Sequence, residues 1–181
     1  MSYVPRTVLA PDYETISTWS YWGLGDLLRG LSQSLPGTAA WPSANLAIYV
    51  PVVIPRPVVV LKMGWINGVT ASGNIDVGIY DVTGAKVVTA GSTAQGTTSV
   101  AQLVNTTDVQ LVGPARYYLA MSMDNTTGTV GRNTLPVSGT AMRGIGCAQE
   151  ASAFALPATA TLAVMANNYV PFVFALVTTV M

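Results

Sequence analysis

From Leu46 onward the chain consists of short apolar or period-two runs, separated at short intervals by Gly, Pro and Asn, with the alternation plain at Ile75, Val77 and Ile79. Successive side chains of a pleated chain point to opposite sides, so this spacing marks strands with one face in a core. Residues 46–54 read as a strand in which Pro51 calls for an edge or a bulge. Pro55-Arg56-Pro57 turns the chain into a strand over 58–67, which the turn pair Asn67-Gly68 closes. In the next strand, 75–81, Ile75, Val77 and Ile79 share one face, and Asp81-Val82-Thr83-Gly84 returns it as a hairpin into 85–90. After a small-residue loop at 91–96, two short strands are expected at 99–104 and 109–112. Gly113-Pro114 then introduces a strand over 116–123 with Tyr117, Leu119, Met121 and Met123 on one face. Residues 124–128 make a turn, and 162–165 and 170–177 supply the last strands. The pattern predicts an all-β chain: an antiparallel two-sheet sandwich of jelly-roll type.

The first 45 residues break that pattern. They carry Trp19, Trp22 and Trp41 of the four tryptophans, and Tyr3, Tyr13 and Tyr21. Leu24, Leu27, Leu28 and Leu31 recur at helical spacing before Pro36-Gly37, which predicts one short helix near 25–34. Gly30 weakens it and its length limits it to one to three turns. The expected division is an aromatic-rich N-terminal arm with this helix over 1–45 and a β-sandwich over 46–181. The arm either packs on its own core as an irregular edge or reaches a neighbouring subunit.

Composition narrows the chemistry. Eight Lys and Arg balance eight Asp and Glu, so no basic stripe is available to displace counterions from nucleic acid. Charged residues make up 9% of the 181, far below the usual quarter, and Thr, Ser, Asn and Gln supply most of the polarity. A surface this neutral favours burial against copies of the same chain or another protein over life as a lone monomer. There is no histidine, which removes the commonest general base and metal ligand. Zinc sites, Ser-His-Asp triads and Cys-His dyads are therefore excluded in their usual forms. A single cysteine, Cys147, forms no internal disulfide and reads as a small buried hydrophobe. The opening Met1-Ser2-Tyr3-Val4-Pro5-Arg6 lacks the order of a signal peptide, and none is expected. Residues 151–181 hold no charge, but Pro157, Asn167, Asn168 and Pro171 interrupt them, so no membrane span is expected.

Carboxylates are the catalytic groups left to consider. Asp76 and Asp81 lie at odd separation on one strand and so face opposite ways. Asp108 and Asp124 are expected at turns, bonded to nearby backbone. No D-x-D-x-D-G calcium loop is present, and Gly23-Leu24-Gly25 and Gly144-Ile145-Gly146 lack the remainder of a phosphate loop. The sequons at Asn105 and Asn125 read as turn residues. No catalytic residue, cofactor or metal site is assigned. What remains is aromatic: Trp19, Tyr21, Trp22 and Trp41 are the candidate interface residues, as anchors in a protein contact or as a platform for sugar rings. Trp65, on a strand, is expected in the sandwich core.

One stretch carries a family likeness. Asn74-Ile75-Asp76-Val77-Gly78-Ile79-Tyr80-Asp81, Gly91-Ser92-Thr93, the run 113–120 and the upstream Ala40-Trp41-Pro42-Ser43-Ala44-Asn45 together resemble the β-sandwich module of tailed-bacteriophage virion proteins. The resemblance covers about 40–130 and implies assembly or attachment in place of catalysis. It leads to the expectation of a non-enzymatic virion structural protein, a capsid decoration (cement) protein located in the virion. Its partners would be its own copies, as a homotrimer, and the major capsid protein, with neither nucleic acid nor membrane. The alternative is a tail or fibre receptor-binding module that contacts host glycan.

Overall fold

The structure is a computed structural model that describes residues 13–18, 37–134 and 146–179. Within them the chain is all-β and contains no helix. The strands are β1 (Tyr13–Ser17), β2 (Thr38–Ala40), β3 (Ala47–Ile54), β4 (Val58–Ile66) and β5 (Asn74–Asp81). Next come β6 (Lys86–Thr89), β7 (Thr93–Ala94), β8 (Ala101–Leu111), β9 (Ala115–Met123) and β10 (Thr129–Thr134). The last are β11 (Ala148–Glu150), β12 (Ala163–Val164), β13 (Tyr169–Pro171) and β14 (Val173–Thr179). They form an antiparallel sandwich. One layer has the order β1-β14-β4-β8; the other has β12-β11-β3-β9-β5-β6 with β7 alongside β5; a small β13-β10-β2 sheet joins them at one end.

Alternation along the strands builds the core. Ile48, Val50, Val52 and Ile54 of β3, Ile75, Val77 and Ile79 of β5, and Leu119, Met121 and Met123 of β9 point inward. They meet Val58, Val60, Met63 and Trp65 of β4 and Val173, Ala175 and Val177 of β14. The turn at 55–57 carries the chain from one layer to the other, since β3 and β4 belong to different sheets. Pro51 lies in an inner strand, yet β11 pairs only with Ala47, Ile48 and Tyr49. Its missing N–H thus falls on a stretch where one flank of β3 is open.

Several expected elements differ in the structure: the strand at 170–177 is divided into β13 and β14, which lie in different sheets, and the loop at 91–96 contains β7. The strands at 99–104 and 109–112 are one continuous β8, because the polar run around Thr106–Asp108 bulges out of register with β4 without ending the strand. Parts of the region 1–45 are strands: β1 pairs along β14, and β2 pairs with β10. The helix expected near 25–34 lies outside the described residues.

The outer face of the larger sheet is covered by the chain itself. Small residues, Ala47, Gly78, Ala120 and Ser122, leave room there, and the segment 151–162 crosses as a strap. Leu156 seats over Gly78, where an added Cβ would stand 3.1 Å from Leu156 Cδ1 and 2.9 Å from the Val88 carbonyl. Backbone bonds fix both ends: Ala153 N–H donates to Asn45 O at 2.7 Å, and Ala160 N–H to Gly84 O at 2.7 Å. Gly84, at φ +86°, supplies the left-handed turn that offers that carbonyl.

Candidate interaction surface

Two tryptophans are held inside the subunit. Trp41 is 2% exposed; its indole N–H donates to Leu46 O at 2.8 Å, and its ring meets Tyr169 edge-on at 5.3 Å. Trp65 is fully buried, as expected of a β4 residue facing the opposite sheet. Its indole N–H donates to Asn67 Oδ1 at 2.7 Å, and Asn67 Nδ2 donates in turn to Thr97 O and Gln102 Oε1. Asn67, expected as a turn residue, is thus a buried polar hub that joins the 95–100 loop to the start of β8. Trp19, Tyr21 and Trp22 lie outside the described residues.

The ionisable groups are occupied with structure. Asp76 is 1% exposed beneath the strap. It accepts the Thr89 hydroxyl at 2.5 Å on Oδ1 and the Leu156 N–H at 3.0 Å on Oδ2. Burial raises its pKa above the ordinary 3.8, against the opposing pull of those hydrogen bonds and of Lys86. Nearby, Tyr49 and Tyr80 meet edge to face at 5.2 Å. Tyr49 donates to Glu150 Oε2 at 2.9 Å, an oxygen that also accepts the Thr161 N–H at 3.0 Å. Tyr80 donates to Pro157 O at 2.6 Å, and Lys86 Nζ donates to Leu156 O at 2.9 Å. Burial pushes both phenols far upward, so they remain hydrogen-bond donors at any physiological pH. Five ionisable side chains therefore act as rivets for the strap.

Of the remaining described carboxylates, Asp81 and Asp124 hold turns and Glu14 a surface pair. Asp81 accepts the Thr83 hydroxyl at 2.6 Å and the Thr83 and Ala85 N–H groups at 2.8 and 3.0 Å, which lowers its pKa and closes the hairpin. Asp124 accepts from the N–H and the side-chain amide of Asn74 at 2.9 and 2.7 Å. Asn125 caps the following turn by accepting from Thr127 and Gly128, whereas Asp108 and Asn105 lie within β8 and not in turns. Glu14 pairs with Arg56. Among the described residues, no three His, Cys, Asp or Glu side chains converge as a metal set requires. No helix there is long and apolar enough to cross a membrane. Cys147 is buried, with its thiol pushed up to about 12 by desolvation.

The outer face of the smaller layer, unlike that of its partner, presents its own alternate residues. Register sets Leu103, Gly64 and Phe174 in one row, Asn105, Lys62 and Leu176 in the next, and Gln110, Val59 and Thr178 beyond. Gly64 is required here, because an added Cβ would stand 2.5 Å from the Gln102 carbonyl oxygen of the neighbouring strand and 2.8 Å from the Phe174 ring. Lys62 is the one charge in these three rows. At the end of the sandwich beside the 55–57 turn, Val53, Val82 and Val112 are each more than half exposed. The end carries charges as well, Arg56, Arg116 and Asp81, so the neutral, partly apolar area is the sheet face, whose composition suits a contact surface. The sequence reading located β4 and most of β14, read β8 as two pieces and missed β1; the extent of the face follows from which face the strap covers, which alternation alone does not tell.

No protein-family model, curated protein or solved structure matches this chain.

Proposed function

We propose that the chain is a non-enzymatic structural protein of a bacteriophage virion, a decoration (cement) protein that binds the capsid shell as a homotrimer with a jelly-roll body. One observation carries the reading: Asp76, Asp81, Asp124, Glu150, Tyr49, Tyr80 and Lys86 are engaged in holding turns and a strap, while the charge-poor outer face of the smaller layer remains for contact. The sequence likeness over 40–130 supplies the virion context, and the aromatic residues Trp19, Tyr21 and Trp22 supply anchors for a neighbour. Trp41 is enclosed by its own subunit and serves the core in this scheme. Gold-labelled antibody against the chain, applied to intact particles of the phage that encodes it, tests the proposal. Label distributed over the shell supports it; label confined to tail or fibres transfers the protein to host attachment; unlabelled particles refute it.

A further inference from the structure

β1 fills the β14 edge of the smaller layer, and its ladder bonds go to β14 alone. The seat is specific. Ile16 packs onto the core, and Thr18, fully buried, donates its N–H to Val173 O at 3.0 Å and its hydroxyl to Pro171 O at 2.8 Å. Glu14 reaches Arg56 of the 55–57 turn, and this is the one ion pair among the described residues. Backbone ladder, apolar contact, buried clip and opposite charge together make a site for an added strand. Residues 19–36 separate β1 from Gly37, where the described chain resumes. Extended, a segment of that length spans up to about 60 Å, against roughly 40 Å for the diameter of a domain this size.

We infer that β1 is exchanged between subunits: residues 13–18 of one copy occupy the β14 edge of a second copy of this chain. The inference rests on the homo-oligomer reading above. Exchange preserves the register from Tyr13–Thr178 to Ser17–Phe174 and the Glu14–Arg56 pair, because the same groups meet from different chains. By contour length, the 18 residues before Gly37 are enough for β1 to reach a seat on an adjoining copy, where the antiparallel register with β14 sets its direction.

Thr15 and Leu176 provide the test. Thr18 N–H bonds Val173 O, so alternation along the ladder makes Thr15–Leu176 a non-hydrogen-bonded pair. Such pairs have Cα atoms about 4.5 Å apart, within the range a disulfide bridges. Full-length Thr15→Cys and Leu176→Cys chains with different tags are co-expressed, oxidised mildly and run without reductant. Cys147, buried with a raised thiol pKa, does not compete. The expected result is a band near twice 18.9 kDa carrying both tags, absent when either variant is expressed alone. If light scattering finds an oligomer but no mixed band forms, while a single chain bearing both cysteines links internally, exchange is refuted and the oligomer stands. A monomer in light scattering refutes both. Should Leu176→Cys fail to fold, the Tyr13–Thr178 pair, two residues along the same ladder, gives the same readout.

Discussion

Replacing Leu156 with Ala removes the apolar anchor of the strap and leaves its hydrogen-bonding partners in place. Leu156 is 3% exposed and seats against Gly78, Val88 and the small residues of the outer sheet face. Three carbons lost at about 0.8 kcal/mol each give a transfer cost of about 2.4 kcal/mol. A rigid site would add a cavity cost and reach about 3–5 kcal/mol. Here one wall of the site is a surface segment whose Ala155 and Ala158 are exposed, so it can settle inward, and about 2.5 kcal/mol is expected. With a urea slope of about 2 kcal/mol/M, the unfolding midpoint falls by about 1.2 M. Fluorescence of the buried Trp41 and Trp65 reports the transition, at one fixed protein concentration because association shifts apparent stability. Amide exchange at Ala153, Leu156, Ala160 and Thr161 should accelerate as well, since these N–H groups fasten the strap. An unmoved midpoint with unchanged protection at those amides refutes the claim that the strap belongs to the cooperative fold.

Three further outcomes follow from the same contacts. Asp76 has a raised pKa, so its contribution to stability is fully present below the ordinary 3.8 and declines as pH rises through its folded value. Urea midpoints of the native protein relative to Asp76→Asn should therefore fall from about pH 4 to neutrality; a relative gain over that range contradicts the burial argument. Asn67→Ala strands the Trp65 indole N–H and the Thr97 carbonyl, and should cost about 2–4 kcal/mol by denaturant titration, whereas a cost under about 0.5 kcal/mol would show the hub to be dispensable. In a Trp19→Phe/Trp22→Phe variant, acrylamide quenching should be weak and equal in free and assembled protein, because Trp41 and Trp65 are already buried. Assembly-dependent quenching in that variant would place one of the two in the interface.

Strands with one buried face were legible from sequence because alternation is imposed by the pleat: Ile75, Val77 and Ile79, and Leu119, Met121 and Met123, are all in the core. Strands that lack an apolar row were not. β8 has an exposed, largely polar edge sequence interrupted by its bulge, and it read as two pieces; β10 and β11 are short and made of small or polar residues. β1 alternates too weakly to signal a strand, and its pairing with β14 is separated from it by about the whole chain. Trp65 was legible as core, since a strand tryptophan opposite a sheet has one satisfactory place. Trp41 was not, because its burial depends on Tyr169, far away in sequence. The role of Asp76 was half legible: odd spacing separated it from Asp81, but nothing local announces that a strap at 151–162 will cover it. Scarcity of charge was legible from composition, but its placement on one sheet face was not.

The central proposal, a phage shell protein, is tested most directly by the copy number of this chain in purified particles from its source, measured by quantitative mass spectrometry against the major capsid protein. A shell decoration protein is expected at a fixed ratio comparable with the shell protein itself. Absence from the particles, or a few copies in each, would contradict it.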